Sequence, residues 1–388
     1  MSSSSSPGFP GRPTTGRAHV QAGGAPGAGA AAQRPGAVYG RAGGVYGGKR
    51  GPRWGRIGLV VALALALAGG LLIGGGWLYY NRLNAGLDRT DPFSQITGDR
   101  PAKEVKGALN ILLLGSDSRD PDSKAKPGQW RTDTIIVLHI DAAHEKAYLV
   151  SFPRDLYVFI PKSGTNPKYG NTKSKINAAF SWGGLPLVVQ TVEGYTGVRM
   201  DHVVLLDFGG FKQVTDALGG VDMVIEQDVT SIHPPKRHFT KGPAHLNGAE
   251  ALDYVRQRYQ FAEGDFARMR HQQQFMKAVM DKAASSGTLT SPTKLNAFLK
   301  SITAAMTVDK DFSLVDLGLQ FRNLRSDDLM FLVSPHQGSQ TVKGESVVVP
   351  DAAKATALYQ AMKTDTMGAW AAAGASPAAS TKPGTAPK

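Results

Sequence analysis

The sequence has no cysteine among its 388 residues, which excludes disulfides, thiolate zinc sites and a cysteine nucleophile. This leaves the compartment open, because exported domains need not contain disulfides. Acidic residues are missing from residues 1–56, where Arg12, Arg17, Arg34, Arg41, Lys49, Arg50, Arg53 and Arg56 give a charge of +8. Of the formal net charge of +13 the remainder therefore carries only +5, a poor argument for nucleic-acid binding by the body of the chain. A GxSxG elbow, a Walker A loop and an HExxH pair are also absent. His233 and His238 flank a Pro-Pro turn without further ligands at zinc spacing.

Charge is missing altogether from Ile57 to Tyr80, IGLVVALALALAGGLLIGGGWLYY. At ~1.5 Å per residue this run spans a ~30 Å hydrocarbon layer as one transmembrane helix. Basic residues crowd its amino-terminal side, and Trp77, Tyr79 and Tyr80 close its far end. Both signals place the N-terminus in the cytoplasm and the rest of the chain outside. The run is too long for a cleaved signal peptide and no small-x-small site follows it, so an uncleaved signal-anchor is expected. Residues 1–54 read as a disordered basic cytoplasmic tail, 81–106 as an extracytoplasmic linker, 107–365 as one folded domain and 366–388 as a second disordered tail.

Between the tails, short apolar runs alternate with longer amphipathic segments, the pattern of an α/β domain whose sheet is covered on both faces. ALNILLLG, DTIIVLHI, KAYLVSF, HVVLLDF and DMVIEQ read as buried strands, with DLMFLVSP and SVVVP as late ones. Helices are expected over 174–182, 187–195, 208–217, 248–257 and 266–284. Asn247 followed by Glu250 is a capping box for the fourth, and Asp265 is the expected cap of the fifth. In that last helix Arg268 and Gln272 form an i, i+4 pair flanking the apolar stripe, able to face a cleft.

The charged residues gather around these elements as GSDSRD (115–120), RTDT (131–134), SFPRDL (151–156), KINAAF (175–180) and VRQRYQFAEGDFARMRHQQQ (255–274). In an open α/β sheet ligands collect at the carboxyl ends of strands. Asp117 and Arg154 follow strands there, whereas Asp133 precedes one and joins Asp117 only if the two strands are antiparallel or the loop between them folds back. Two carboxylates and substrate phosphates suit magnesium, and arginine forks suit the remaining phosphate oxygens. The bland alternatives are a turn residue for each Asp and a surface salt-bridge network, with Asp253, Glu263 and Asp265 pairing Arg256, Arg258, Arg268 and Arg270. A serine nucleophile in GSDS lacks an identifiable base.

Over about Ala108 to Ala284 the ordered segments NILLLGSDSR, RTDTIIVLHID, YLVSFPRDLYV, KINAAF, DHVVLLDFGGF, LGGVDM, HLNGAEAL and YVRQR followed by DFARMRHQQQF closely resemble the LytR-CpsA-Psr family of Gram-positive cell-wall enzymes. The Ala-, Gly- and Arg-rich tail has an actinobacterial composition. The resemblance implies a three-layer α-β-α sandwich with a central mixed sheet. It also implies magnesium-dependent transfer of a glycopolymer (teichoic acid, capsule or arabinogalactan type) from a polyprenyl-pyrophosphate donor to a peptidoglycan sugar hydroxyl. Magnesium is the implied cofactor, with manganese as a substitute. By motif, Asp117 and Asp133 resemble the metal ligands and, with Arg154, the catalytic set. Arg154, Lys175, Arg256, Arg258, Arg268 and Gln272 resemble the pyrophosphate-binding set. One departure is His271, where related sequences commonly carry Arg, which is expected to alter charge near the mouth of the site. A pyrophosphatase using water and a non-catalytic membrane-bound regulator are the rival readings. The folded domain shows no helix-turn-helix signature, so no nucleic-acid partner is expected, and the general base is unassigned.

Overall fold

A computed structural model describes residues 78, 81–82, 84–96, 98–116, 132–288, 291–321 and 324–374. The expected transmembrane run, both expected tails apart from residues 366–374, and Asp117, Arg119 and Arg131 of the site motifs lie outside the described residues (Leu78 alone excepted). No helix among the described residues is long and apolar enough to cross a membrane.

From the amino-terminal side, strands β1 (Asp88–Thr90), β2 (Leu109–Ser116), β3 (Thr132–Ile140) and β4 (Ala147–Ser151) lead into a hairpin of β5 (Tyr157–Ile160) and β6 (Thr172–Lys175). Helix α1 (Ala178–Thr196), β7 (His202–Leu206) and α2 (Phe208–Ala217) follow. Two small antiparallel pairs are then built from β8 (Val221–Ile225), β9 (Val229–Thr230), β10 (His238–Phe239) and β11 (Gly242–Leu246). Helices α3 (Gly248–Val255), α4 (Asp265–Ser285) and α5 (Pro292–Ala305) precede β12 (Met306–Asp309) and α6 (Leu314–Phe321). The chain continues through β13 (Leu329–Val333), the hairpin β14 (His336–Val342) and β15 (Glu345–Pro350), α7 (Ala352–Lys363) and α8 (Met367–Ala372).

Seven strands form the central mixed sheet in the order β1-β12-β7-β2-β3-β4-β13. Its middle strands are near-continuous apolar runs because both faces are covered. On one face Leu112, Leu114, Ile135, Val137 and Val150 pack against Leu187, Val188 and Val192 of α1 and Leu358 and Met362 of α7. On the other, Ile111, Ile136, Leu138, Ile140 and Leu149 meet Met276 of α4 and Leu314 and Leu317 of α6.

Four expectations are revised. DMVIEQ is not a buried strand of the main sheet: β8 pairs only with β11, and its alternating buried and exposed residues show one wet face. SVVVP is a late strand as expected, but it pairs with β14 in a hairpin outside the main sheet. The first helix starts at Ala178 and not at Ser174, because Thr172–Lys175 is a strand; the expected division into two helices is present as a kink at Gly184, whose φ of 64° only glycine adopts easily. The expected linker also joins the fold, since β1 pairs with β12 and Arg89 Nη1 donates to the carbonyls of Lys310 and Phe312 at 2.8 and 3.0 Å. A three-residue strand reading DRT carries no apolar signal to reveal it.

Candidate active site

Register brings the motifs together. Strands β2 and β3 are antiparallel, with Gly115 opposite Thr134 and Ser116 opposite Thr132, so the end of β2 meets the start of β3 beside Asp133. Strand β4 runs antiparallel to β3, and the Phe152 N–H donates to the Ile135 carbonyl at 2.8 Å, which carries the chain on to Pro153 and Arg154 at the same edge. The turn is pinned from both sides: Leu156 N–H donates to Pro153 O at 2.9 Å and Asn177 N–H to Arg154 O at 3.2 Å. Arg154 Nη1 then donates to Asp133 Oδ1 at 2.7 Å.

The opposite wall comes from α3 and α4. The capping box at Asn247 is present, its side chain accepting from Ala249 and Glu250 while Glu250 accepts from the Asn247 N–H. That helix delivers Arg256 at its end. Between the two arginines Gln257 is fully buried and donates to Ser231 Oγ and Asp253 Oδ1, both at 2.8 Å, which turns Arg256 and Arg258 toward the cavity. Arg256 lies over the Phe208 ring at 4.4 Å, and Arg258 over Tyr259 at 4.2 Å. Asp265 is not the cap of α4: Gly264 holds that position, and Asp265 sits among the arginines instead. Its Oδ1 lies 3.0 Å from Arg268 Nη2, 3.5 Å from Arg154 Nε and 3.9 Å from Arg258 Nη1. Arg268, 4% exposed, also donates to the Asp133 carbonyl at 2.8 Å, so it is a buried charge and not part of a surface network.

The electrostatics distinguish the two carboxylates. Burial opposes ionisation of Asp133, but the Arg268 charge, the Arg154 hydrogen bond and Arg258 outweigh it and hold its pKa below the ordinary value. At Asp265 burial prevails over Arg268 and Arg154, with Asp155 adding repulsion, and the pKa is raised. Arg154 Nε and Arg268 Nε are buried donors with no hydrogen-bond acceptor among the described residues. Such donors are rare unless something else satisfies them.

These arginines rim a cavity of about 440 Å³ running down between the sheet and α2, α3 and α4. Its depth is apolar: Leu113 and Val204 from the sheet, Phe211 from α2, Leu252 from α3, Phe275 and Met276 from α4. Asp133, Arg154, Arg256, Arg258, Arg268 and Gln272 all line it. Lys175 does not. It lies in an adjoining polar cleft of about 610 Å³, 3.7 Å from both Asp155 Oδ1 and Glu345 Oε2, and of the arginines only Arg154 borders both spaces. His271 is not at the mouth either; it is fully buried between Tyr254 and Phe261, ring centroids 4.6 and 4.7 Å away. Gln257 and the apolar lining are what sequence reasoning missed, because their roles arise from the packing of α2, α3 and α4 on the sheet; Asp265, read as a cap or as a salt-bridge partner, takes the second role, with Arg268 three residues on.

Among the described residues no group of three or more His, Cys, Asp or Glu is arranged to hold a metal. What the edge offers is the Asp133 carboxylate and the end of β2, immediately before Asp117. Hard oxygen donors of this kind suit magnesium completed by phosphate oxygens and water.

Residues 80–364 match the LytR_cpsA_psr family. The chain belongs to this family. It is 32% identical over 301 residues to the polyisoprenyl-teichoic acid–peptidoglycan teichoic acid transferase TagU of Bacillus cereus, covering 75% of this chain and 92% of that one. It is 35% identical over 242 residues to the corresponding transferase TagV of Bacillus subtilis, covering 60% and 59%. The crystal structure of B. subtilis TagV superposes with a TM-score of 0.56 at 28% identity over 68% of this chain and 99% of that one. TagT bound to LI-WTA gives a TM-score of 0.54 at 25% identity over 69% and 97%.

Proposed function

We propose that this LytR_cpsA_psr protein is a membrane-anchored transferase, working on the outer face of the membrane. It moves a phosphorylated glycopolymer from a polyprenyl-pyrophosphate carrier to a peptidoglycan sugar hydroxyl and releases polyprenyl phosphate. The observation that carries this reading is an apolar cavity opening onto a rim of arginines with unmet buried donors. An amphiphile with a long hydrocarbon tail and a doubly charged head matches both halves. The relatives TagU and TagV, transferases by name, support it. The charge-free run 57–80, with arginines before it and aromatics at its end, supports the anchor and its orientation.

In this reading the tail lies along Phe211, Leu252, Val255, Phe275 and Met276, and the pyrophosphate sits against Arg154, Arg256, Arg258 and Arg268 with Gln272 beside them. The acceptor oxygen bonds to the glycan-bearing phosphorus, the bond from that phosphorus to the bridging oxygen breaks, and the bridging oxygen leaves with the electron pair as polyprenyl phosphate. The hydroxyl proton passes to a carboxylate; Asp133, Asp155 and Asp265 all contact Arg154. The guanidiniums stabilise charge on the phosphoryl oxygens and the leaving group. Asp133, with Asp117, would hold magnesium or manganese, which when bound supplies Lewis-acid compensation of phosphate charge. Among the described residues four guanidiniums face three carboxylates, and Asp117 would cancel the one remaining positive charge, a balance against a dianionic diester that a divalent ion improves.

Full-length protein in detergent, given a polyprenyl-pyrophosphate-linked disaccharide and soluble peptidoglycan strands, should release polyprenyl phosphate and form a phosphodiester-linked adduct seen by mass spectrometry. Arg154→Ala and Asp133→Ala should each lower kcat/KM by about 100-fold or more, while chelation should stop turnover until magnesium or manganese is restored. Release at the same rate without acceptor strands would favour the pyrophosphatase reading and remove the transferase one.

A further inference from the structure

The polar cleft beyond Arg154 is not used by the arginine site just described. It is walled by the loop joining β5 to β6, the start of α1 and the β14–β15 hairpin, and is bordered by Asp155, Asn166, Tyr169, Lys175, Ser181 and Trp182. We infer that this cleft binds the acceptor sugar of the peptidoglycan strand, with Tyr169 and Trp182 as its stacking platform. The inference rests on the transferase reading above.

Three observations support it. First, Tyr169 and Trp182 are stacked, ring centroids 5.7 Å apart and 15° from parallel, with Tyr169 45% exposed. Trp182 covers one side of Tyr169, and an exposed aromatic ring among hydroxyl, amide and charged groups is the surface on which the C–H face of a pyranose rests while its hydroxyls bond outward. Second, the platform is rigid. Ser163 N–H donates to Tyr169 O and Tyr169 N–H to Asn166 O, both at 3.0 Å, while Ser163 Oγ donates to Trp182 O at 3.1 Å. Gly170 closes the loop at φ +93°, and a Cβ there would lie 2.0 Å from Pro161 O, so no other residue fits. Third, the placement suits in-line displacement. The leaving polyprenyl phosphate belongs to the apolar cavity on one side of Arg154, so the attacking hydroxyl enters from the other side. The polar cleft meets the apolar cavity at Arg154, the one arginine that borders both, and Asp155, 3.6 Å from Arg154 Nε, lies at that junction to take the proton. The cleft also binds its walls to the reaction centre, since Val348 N–H of β15 donates to Asp155 O at 2.8 Å.

The test is steady-state kinetics of full-length protein, varying peptidoglycan strand at saturating donor and then donor at saturating strand. Tyr169→Ala, whose loop is held by backbone bonds, should raise the KM for strand by about tenfold, with the donor KM and kcat within about twofold. Tyr169→Phe should restore the wild-type value, and Asn166→Ala should repeat the selective rise. A raised donor KM with strand KM unchanged would overturn the assignment in favour of the donor glycan. Unchanged constants in both variants would overturn any sugar site here. A wild-type enzyme indifferent to strand would instead sink the transferase reading, which keeps the two failures apart.

Discussion

Asp133 and Asp265 share the same arginines, yet their pKa values are shifted in opposite directions, down at Asp133 and up at Asp265. Asp133 accepts an aligned hydrogen bond from Arg154, while Asp265 Oδ1 is buried with contacts but no aligned donor and has Asp155 as a neighbour. At Asp133 the Arg268 charge and the Arg154 hydrogen bond together outweigh burial, whereas at Asp265 charge alone does not. A cleaner case lies outside the cluster: Arg270 donates to both oxygens of Glu226 at 2.7 Å and, against burial, lowers its pKa from 4.5 to about 2. A depressed folded pKa contributes stability that is complete above the unfolded value and is lost as pH falls through the folded one. Glu226→Gln should therefore cost about 1–2 kcal/mol at pH 7, after allowing for solvent screening of a partly exposed pair. Urea unfolding at pH 7 and at pH 3 checks this, since the gap between variant and wild type should shrink at the lower pH. At this scale the arginines were legible because three of the four at the site stand in one short run, 255–274, with phosphate-binding residue types nearby. Asp265 was read both as a cap and as a salt-bridge partner of the nearby arginines; Gly264 takes the cap and Asp265 pairs with Arg258 and Arg268, while its added contact with Arg154, over a hundred residues away, had no signal in the sequence.

Helix α3 links local chemistry to the site, for its amino terminus is set by a capping box and its carboxyl terminus carries Arg256. Asp216 strengthens the start by accepting from the Gly248 N–H at 2.7 Å. Asn247→Ala should lower stability by about 1 kcal/mol, or roughly 2–4 °C in melting temperature for a domain of this size. It should also weaken donor binding by less than the arginine variants do, because it loosens a support and leaves every guanidinium in place. Calorimetry and donor KM together test this; an unchanged melting temperature would show that Asp216 suffices. The capping box was readable because all its parts lie within four residues. The β1 edge strand was not, since it depends on β12 more than two hundred residues along the chain, and neither was the β5–β6 hairpin, whose second strand reads TKSK and carries no apolar signal.

Across the whole molecule, the antiparallel pairing of β2 with β3 is the step on which the site depends. The sequence left it as a condition, and the register of Gly115 with Thr134 meets it. The cavity that follows is shared by the central sheet, α2, α3 and α4, elements which contribute to separate apolar clusters. A tail filling that space would couple those clusters, so a bound donor should stabilise the domain as a unit. At a ligand concentration 100 times Kd, binding to the folded state alone adds about 2.7 kcal/mol, several degrees in melting temperature. Thermal unfolding of the full-length protein should therefore shift upward with a long-chain polyprenyl pyrophosphate, and far less with inorganic pyrophosphate or polyprenol at the same concentration, because each supplies half of the contacts. Arg268→Ala should abolish most of the shift. Equal shifts from polyprenol and from its pyrophosphate would mean that the arginine rim takes no part in binding, and the joint role assigned to cavity and rim would fail.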